Sequence, residues 1–119
     1  NIFIVAPTTP PARIGLIAKH ASGFIYYVSR EGVTGEQTSL STDIAAQVAE
    51  IKKHTALPVA VGFGISTPDQ AAEVARESDA VVVGSAIVRR IGEHGSTQNL
   101  PEKIIEFVKP IAEAIRNAT

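Results

Sequence analysis

Four short apolar runs, each followed by apolar residues at helical spacing, are the feature that most restricts the fold of this chain. They occupy residues 2–5, 24–29, 58–61 and 80–83. Strands that are apolar at nearly every position are typically covered on both faces. Regular alternation of strands with helices is typical of a parallel sheet with right-handed crossovers. The sequence therefore predicts an α/β fold of four βα units, forming a single domain over residues 1–119.

Four βα units are half of a closed (β/α)8 barrel, which has eight strands and about 250 residues. We therefore predict a parallel (β/α)4 half of a TIM barrel. A half barrel alone would expose two strand edges and the side chains that face inward. Three interpretations stay open: a part of a larger chain that supplies the N-terminal half, one half of a two-chain barrel formed by self-association, or a rearranged open sheet.

Several helix boundaries are predicted from local capping and breaking residues. Ser41 is expected to cap the second helix, and Thr67 is expected to open the third with a capping box. A short helix is expected over residues 86–91, ending near Gly92. The last helix is expected to kink or split at Pro110, because proline removes a helical hydrogen bond.

Composition excludes several classes of function. Apolar residues make up 45% of the 119, which predicts a globular chain. With 11 basic and 12 acidic side chains and no run of like charge, we expect no nucleic-acid or membrane partner. The absence of cysteine, of a ~20-residue apolar stretch and of a signal-peptide pattern favours a cytoplasmic protein. The three histidines are far apart in the sequence, so no metal site and no cofactor are expected.

Two glycine segments follow neighbouring strand-like runs. Residues 59–66 read Val-Ala-Val-Gly-Phe-Gly-Ile-Ser, and residues 81–87 read Val-Val-Val-Gly-Ser-Ala-Ile. Glycine lets backbone N–H groups approach a ligand closely, and a helix N-terminus adds partial positive charge. In parallel barrels the loops after the last two strands often hold a phosphate in this way. The two segments therefore predict a phosphate site that needs no lysine.

Longer motifs make the interpretation more specific. Residues 23–35, Gly-Phe-Ile-Tyr-Tyr-Val-Ser-Arg-Glu-Gly-Val-Thr-Gly, resemble the sixth strand and following loop of the tryptophan synthase α subunit. Residues 62–68 resemble the end of that family's seventh strand, residues 84–88 its eighth and residues 2–7 its fifth. The resemblance covers the whole chain in order. It implies the C-terminal half of a (β/α)8 barrel that cleaves indole-3-glycerol phosphate to indole and glyceraldehyde 3-phosphate, a retro-aldol step of tryptophan biosynthesis.

The resemblance also implies roles for individual residues. The positions that match phosphate-binding residues of the family are Gly35, Phe63, Gly64, Gly84 and Ser85. The positions that match its substrate pocket are Ile4, Phe24, Tyr26 and Val83, with Ile4, Phe63 and Val83 near the indole ring. Arg30 and Thr34 match a mobile loop that closes over the substrate and supports a catalytic aspartate.

The catalytic carboxylates of the family have no counterpart in these 119 residues. Retro-aldol cleavage needs a base and an acid, and the family takes a glutamate and an aspartate from its first strands. The carboxylates here, such as Glu31, Glu36 and Asp43, lie on helices or loops. We therefore expect a phosphate-binding half that is inactive alone, in a family whose partner is a pyridoxal-phosphate-dependent β subunit. Two alternatives remain: an excised or engineered half barrel that only self-associates, and a different phosphate-binding barrel that acts on a sugar phosphate.

Overall fold

The computed structural model describes residues 1–29 and 40–119, and in the second part it describes side chains from residue 43 onward. The elements are, in chain order, β1 (Phe3–Val5), α1 (Pro11–His20), β2 (Ile25–Val28), α2 (Leu40–Lys52), β3 (Val59–Gly62), α3 (Pro68–Glu77), β4 (Ala80–Val81), α4 (Ser85–His94) and α5 (Leu100–Ala118). The strands form one sheet in the order β1-β2-β3-β4, and every neighbouring pair is parallel. This confirms the predicted α/β fold of four βα units.

One face of the sheet is packed against the helices. Alternate strand residues point into this core, which contains Val5, Ile25, Tyr27, Val59 and Val61. The helices contribute the apolar residues predicted from their spacing, including Ile14, Ile44, Val48, Ile51, Val74 and Ile111. Full burial of each such side chain stabilises the fold by about 1.5–3 kcal/mol. The sheet and the helical layer are therefore held together by one continuous apolar interface.

The other face of the sheet is covered unevenly. Ile4, Tyr26, Ala60 and Ala80 lie side by side across the four strands. Ala60 is buried, but the Ile4 residue is 63% exposed. The prediction of strands covered on both faces therefore holds for β3 and is wrong for β1, because no described element lies over that end of the sheet.

Exposed large apolar residues are concentrated at the two ends of the sheet. Among the described residues they are Ile2, Ile4, Leu16, Val88, Ile91 and Ile105. All six belong to the first or the last βα unit, whose strands β1 and β4 are the edges of the sheet. The two middle units show none in the part of the chain that the structure describes. The ends are therefore the surfaces at which a further element could bury apolar area.

Two predicted helix boundaries are wrong, and one of two predicted effects of a proline does not occur. Helix α2 begins at Leu40, so Ser41 lies in its first turn and is not the cap. Helix α4 runs through Gly92 to His94, because an interior glycine costs only about 1 kcal/mol and α4 packs along α5. Helix α5 continues through Pro110, so of the two predicted outcomes, a kink or a split, the split does not occur, because the next residue, Ile111, is buried in the core.

An acidic residue fixes the beginning of β4 against β3. One Asp79 carboxylate oxygen accepts a hydrogen bond from the Val59 amide at 2.9 Å and contacts Lys52 Nζ at 2.7 Å. The Asp79 amide in turn donates to the Val59 carbonyl at 3.0 Å. The Lys52 ammonium first, and then the Val59 amide, hold the pKa of the Asp79 carboxyl below its usual value. This contact sets the register of the two strands that carry the glycine segments.

Candidate phosphate site

Strands β3 and β4 bring the two glycine segments to the same edge of the sheet. Ala60 lies opposite Ala80 and Val61 opposite Val81, an offset of 20 residues. The Val82 amide donates to the Val61 carbonyl at 2.8 Å, which extends the parallel pairing past the last assigned residue of β4. The same offset would align Gly64 with Gly84. Both glycines follow the carboxyl ends of their strands, the edge at which parallel α/β folds bind ligands.

The backbone conformation at position 64 requires a glycine. Its φ of +83° lies in the left-handed region, which side chains other than glycine adopt only with strain. Crowding is not the reason, because a Cβ at this position would have no other heavy atom within 4 Å. The space beside Gly64 is therefore open to a ligand.

Helix α4 begins beside the second glycine without a side-chain cap. Gly84 is the N-cap residue, Ser85 is the first helical residue, and no acidic side chain lies in the first turn. The Gly84 carbonyl accepts hydrogen bonds from the Ile87 and Val88 amides at 3.0 and 3.1 Å. Gly84 and Ser85 are exposed. The positive end of the α4 dipole is thus available to an anion.

Helix α3 differs because its N-terminus caps itself. The Thr67 hydroxyl accepts from the Gln70 amide at 3.3 Å, and the Gln70 side-chain oxygen accepts from the Thr67 amide at 3.3 Å. The same oxygen also accepts from the Ser66 amide at 3.0 Å. This confirms the predicted capping box. It also removes the Ser66 and Thr67 donors from any phosphate site, so α4 is the helix whose first turn remains open to a ligand.

The residues matched to the substrate pocket are divided between two surfaces. Tyr26 and Ile4 are neighbours on the open face of the sheet. The Phe63 residue is only 7% exposed and belongs to the apolar core, and Val83 packs against that core. Phe24 directly precedes β2, at the end of the sheet opposite to the glycines. The structure therefore brings Tyr26 and Ile4 together, and Phe24 lies two residues before Tyr26, farther from the carboxyl edge.

Gly62 has a second role that sequence reasoning missed. A Cβ at this position would lie 2.9 Å from the Tyr26 hydroxyl oxygen, 3.5 Å from Tyr26 Cε1 and 3.2 Å from Val82 Cβ. Gly62 therefore gives the Tyr26 ring room to lie against β3. The only sequence signal for this contact is the pairing of β2 with β3, which single-sequence patterns do not provide.

Part of the predicted site lies outside the described residues, namely Arg30, Thr34 and Gly35.

Within residues 1–29 and 40–119, no group of three or more His, Cys, Asp or Glu side chains could hold a metal ion. None of the described helices is long and apolar enough to cross a membrane.

The parallel (β/α)4 sheet has the strand order and connections of half a TIM barrel. The chain belongs to the tryptophan synthase alpha chain family, whose model matches residues 1–116. This confirms the family resemblance drawn from the glycine segments and the loop motif.

Individual relatives agree with this assignment. The tryptophan synthase alpha chain of Opitutus terrae is 54% identical over 105 residues, which cover 87% of this chain and 40% of the relative. That of Caulobacter vibrioides is 47% identical over 118 residues, which cover 98% of this chain and 43% of the relative.

Solved structures match at the level of the fold. The tryptophan synthase alpha chain of Legionella pneumophila superposes with a TM-score of 0.81 at 32% identity, over 98% of this chain and 42% of that one. A tryptophan synthase structure from M. tuberculosis gives a TM-score of 0.76 at 30% identity, over 97% and 40%. The chain thus spans about two fifths of the length of the relatives that it matches.

Proposed function

We propose that this chain is the phosphate-binding half of a tryptophan synthase alpha barrel and holds the phosphate of indole-3-glycerol phosphate. The observation that carries the proposal is that Gly64 and Gly84 both follow the carboxyl ends of two adjacent parallel strands, next to the uncapped start of α4. A phosphate dianion is well matched to several aimed N–H donors and one hydroxyl, here that of Ser85. In the same proposal the Phe63 and Gly35 amides complete the site.

The proposed pocket for the indole ring lies beside this site. Tyr26 and Ile4 supply an aromatic edge and an apolar wall on the open face of the sheet, and Val83 and Phe24 would complete the pocket in the closed barrel. Arg30 and Thr34 would belong to the loop that closes over the substrate and excludes water.

The described residues offer binding groups but no acid–base pair for the cleavage step. The residues directly after the four strands are Ala6, Ser29, Phe63 and Val82, and none is a carboxylic acid. Retro-aldol cleavage needs one group to take the hydroxyl proton and another to protonate the indole carbon. We therefore propose that these 119 residues bind the substrate and that carboxylates from four further βα units cleave it.

The exposed ends of the sheet support closure by four such units. Each end carries exposed apolar side chains, for example Ile4 and Leu16 at one end and Val88 and Ile105 at the other. Eight parallel strands would leave no free edge. Family membership supports two further parts of the proposal: a cytoplasmic location, and a pyridoxal-phosphate-dependent β subunit as the partner that receives indole.

The proposal is tested by titrating the 15N-labelled chain with indole-3-glycerol phosphate and with inorganic phosphate. We expect saturable amide shifts at Gly64, Gly84 and Ser85. Gly84→Val should weaken phosphate binding by about tenfold or more, because the new side chain would occupy the open space beside the α4 N-terminus. Gly92→Ala, in the same helix and away from the site, is the matched control. Unchanged affinity in Gly84→Val would refute the site.

Activity provides a separate test. The chain alone should release no indole, and adding the N-terminal half of the Opitutus terrae relative should restore release. Indole release by the chain alone would show that its own residues perform the cleavage. A sugar phosphate that binds as tightly as indole-3-glycerol phosphate would instead favour the alternative substrate class.

A structural role is the second candidate, and the six exposed apolar residues at the sheet ends favour it. Two copies could close an eight-stranded ring by placing β4 of each copy beside β1 of the other. Sedimentation velocity distinguishes this possibility. A dimer that neither binds phosphate nor assembles with the other half would support a purely structural chain, and a monomer would exclude it.

A further inference from the structure

A groove away from the glycine ends has the size of a ligand site. It lies between the start of α3, the second half of α4 and the first half of α5, and its volume is about 560 Å³. Small-molecule sites in proteins typically occupy about 300–1,000 Å³. The groove combines charged side chains from α4 and α5 with the apolar surfaces of Pro68 and Pro110. It therefore offers both a polar and an apolar contact surface to one small molecule.

The groove has an excess of positive charge. Arg90, His94 and Lys103 line it, and Glu106 is its one carboxylate. Among the described residues, Lys52 pairs with Asp79, and Glu50 contacts Lys53 and the His54 ring. Neither Arg90 nor Lys103 has a carboxylate of a described residue within 4 Å. Two cations without such partners in one groove favour an anionic ligand.

Arg90 is already positioned for an anion. Its guanidinium carbon lies 4.7 Å from the centroid of the Phe107 ring, and Phe107 itself packs against the core. Contact with an aromatic face involves the flat surface of the guanidinium group and leaves its in-plane N–H donors free. Because this contact restricts the Arg90 side chain before binding, less conformational entropy is lost when an anion binds.

The N-terminus of α3 does not supply the anion contacts. Ser66 lines the groove, but its amide and its hydroxyl both donate to the Gln70 side chain, at 3.0 and 3.3 Å. The remaining polar donors are the side chains of Arg90, His94 and Lys103. The charge of the groove therefore comes from α4 and α5 and not from a helix dipole.

We infer that this groove binds a small organic anion, a carboxylate or a phosphate ester with an apolar body. Arg90 and Lys103 contact the anionic group, and Pro68, Phe107 and Pro110 contact the body. The inference does not rest on the proposed function, because none of these residues belongs to the glycine site.

Benzoate and phenyl phosphate test the inference, since they share one ring and differ in the anionic group. Each is titrated into the 15N-labelled chain while the backbone amides and the arginine side-chain N–H signals are followed, with benzyl alcohol as the neutral control. We expect saturable shifts at the Arg90 side chain and at the amides of His94 and Lys103 with one or both anions. Binding of both identifies a general anion site, and binding of one identifies the preferred group. Benzyl alcohol should give no saturable shift.

Matched variants complete the test. Arg90→Gln should weaken binding by about tenfold, the effect of one charge-assisted hydrogen bond. Arg89→Gln and Lys109→Gln change exposed cations that do not line the groove, so they should leave the affinity unchanged. Equal weakening by Arg89→Gln, or shifts confined to Gly64 and Gly84, would overturn the inference. Gly84→Val separates the two sites, because it should impair the glycine site and leave the groove intact.

Discussion

Replacing Gly62 by alanine should push the Tyr26 ring away from β3. The added methyl group would lie 2.9 Å from the Tyr26 hydroxyl oxygen and 3.2 Å from Val82 Cβ. Both separations are shorter than the 3.5–4.0 Å at which carbon-sized groups pack best. Tyr26 must therefore turn or β4 must move, and either adjustment disturbs the open face of the sheet.

The expected change in the free energy of unfolding follows from two opposing contributions. Overpacking of a filled interior costs about 1–3 kcal/mol. Alanine is favoured over glycine inside a strand by roughly 0.5–1 kcal/mol, and the φ of Gly62 is not in the left-handed region, so no backbone strain is added. Gly62→Ala should therefore lower the free energy of unfolding by about 1 kcal/mol, and by no more than about 2.5 kcal/mol.

A double-mutant cycle with Tyr26→Phe isolates the Tyr26 contact. The substitution removes the hydroxyl oxygen at 2.9 Å and leaves Cε1 at 3.5 Å, so Gly62→Ala should cost about 1 kcal/mol less when it is combined with Tyr26→Phe. Urea unfolding measures all four free energies. Gly92→Ala is the control, since no heavy atom lies within 4 Å of its added Cβ and helix propensity predicts stabilisation. Equal costs of Gly62→Ala with and without Tyr26→Phe would refute the contact argument.

Three further substitutions test single features of the fold. Gly64→Ala should lower the free energy of unfolding by about 1–2 kcal/mol through its positive φ alone, and a change near zero in urea unfolding would contradict this. Asp79→Asn should remove a pH-dependent contribution to the free energy of unfolding. Because the pKa of Asp79 is lowered in the folded chain, this contribution is fully present at a pH above the usual carboxyl pKa of 3.8, and it is lost as the pH falls through the lower folded-state pKa. Because the Asp79 side chain is 38% exposed, we expect this contribution to be less than about 1 kcal/mol. Identical acid-unfolding curves for Asp79→Asn and the unchanged chain would exclude the effect. Thr67→Ala should cost about 1 kcal/mol by removing the α3 cap, whereas Thr67→Ser should retain most of the stability in thermal unfolding.

The parts of the fold that depend on short-range patterns were predictable from the sequence. Four β-branched runs and the helical spacing of residues such as Ile44 and Val48 are sufficient for the order of elements, and alternation then implies parallel pairing. The capping box at Thr67 was also correct, because all of its hydrogen bonds lie within four residues of one another.

Boundaries decided by tertiary packing were not predictable in this way. Gly92 and Pro110 are both strong local stop signals, yet α4 and α5 continue through them. Each of these helices packs along the other, and α5 also packs on α3. Burial of apolar surface between helices outweighs a local cost of about 1 kcal/mol for glycine or 3 kcal/mol for proline. Such compensation comes from residues distant in sequence.

The position of the two glycine segments at one edge of the sheet was predictable, but the contacts around them were not. Glycine and helix-start signals locate Gly64, Gly84 and Ser85 at one edge of a parallel sheet. The contact of Gly62 with Tyr26 depends on strand register, which is set by pairing across more than 30 residues. The groove at Arg90 depends on how α4 and α5 pack, and no local motif encodes that arrangement.

The position of each strand in the sheet, at an edge or in the middle, has a consequence for the motions of the chain. The middle strands β2 and β3 have hydrogen-bonded neighbours on both sides, whereas β1 and β4 have one each. Opening of an outer strand breaks one ladder, but opening of a middle strand breaks two and disrupts the helices above it. Deuterium should therefore replace the amide protons of the outer strands first and those of Tyr27 and Val61 last.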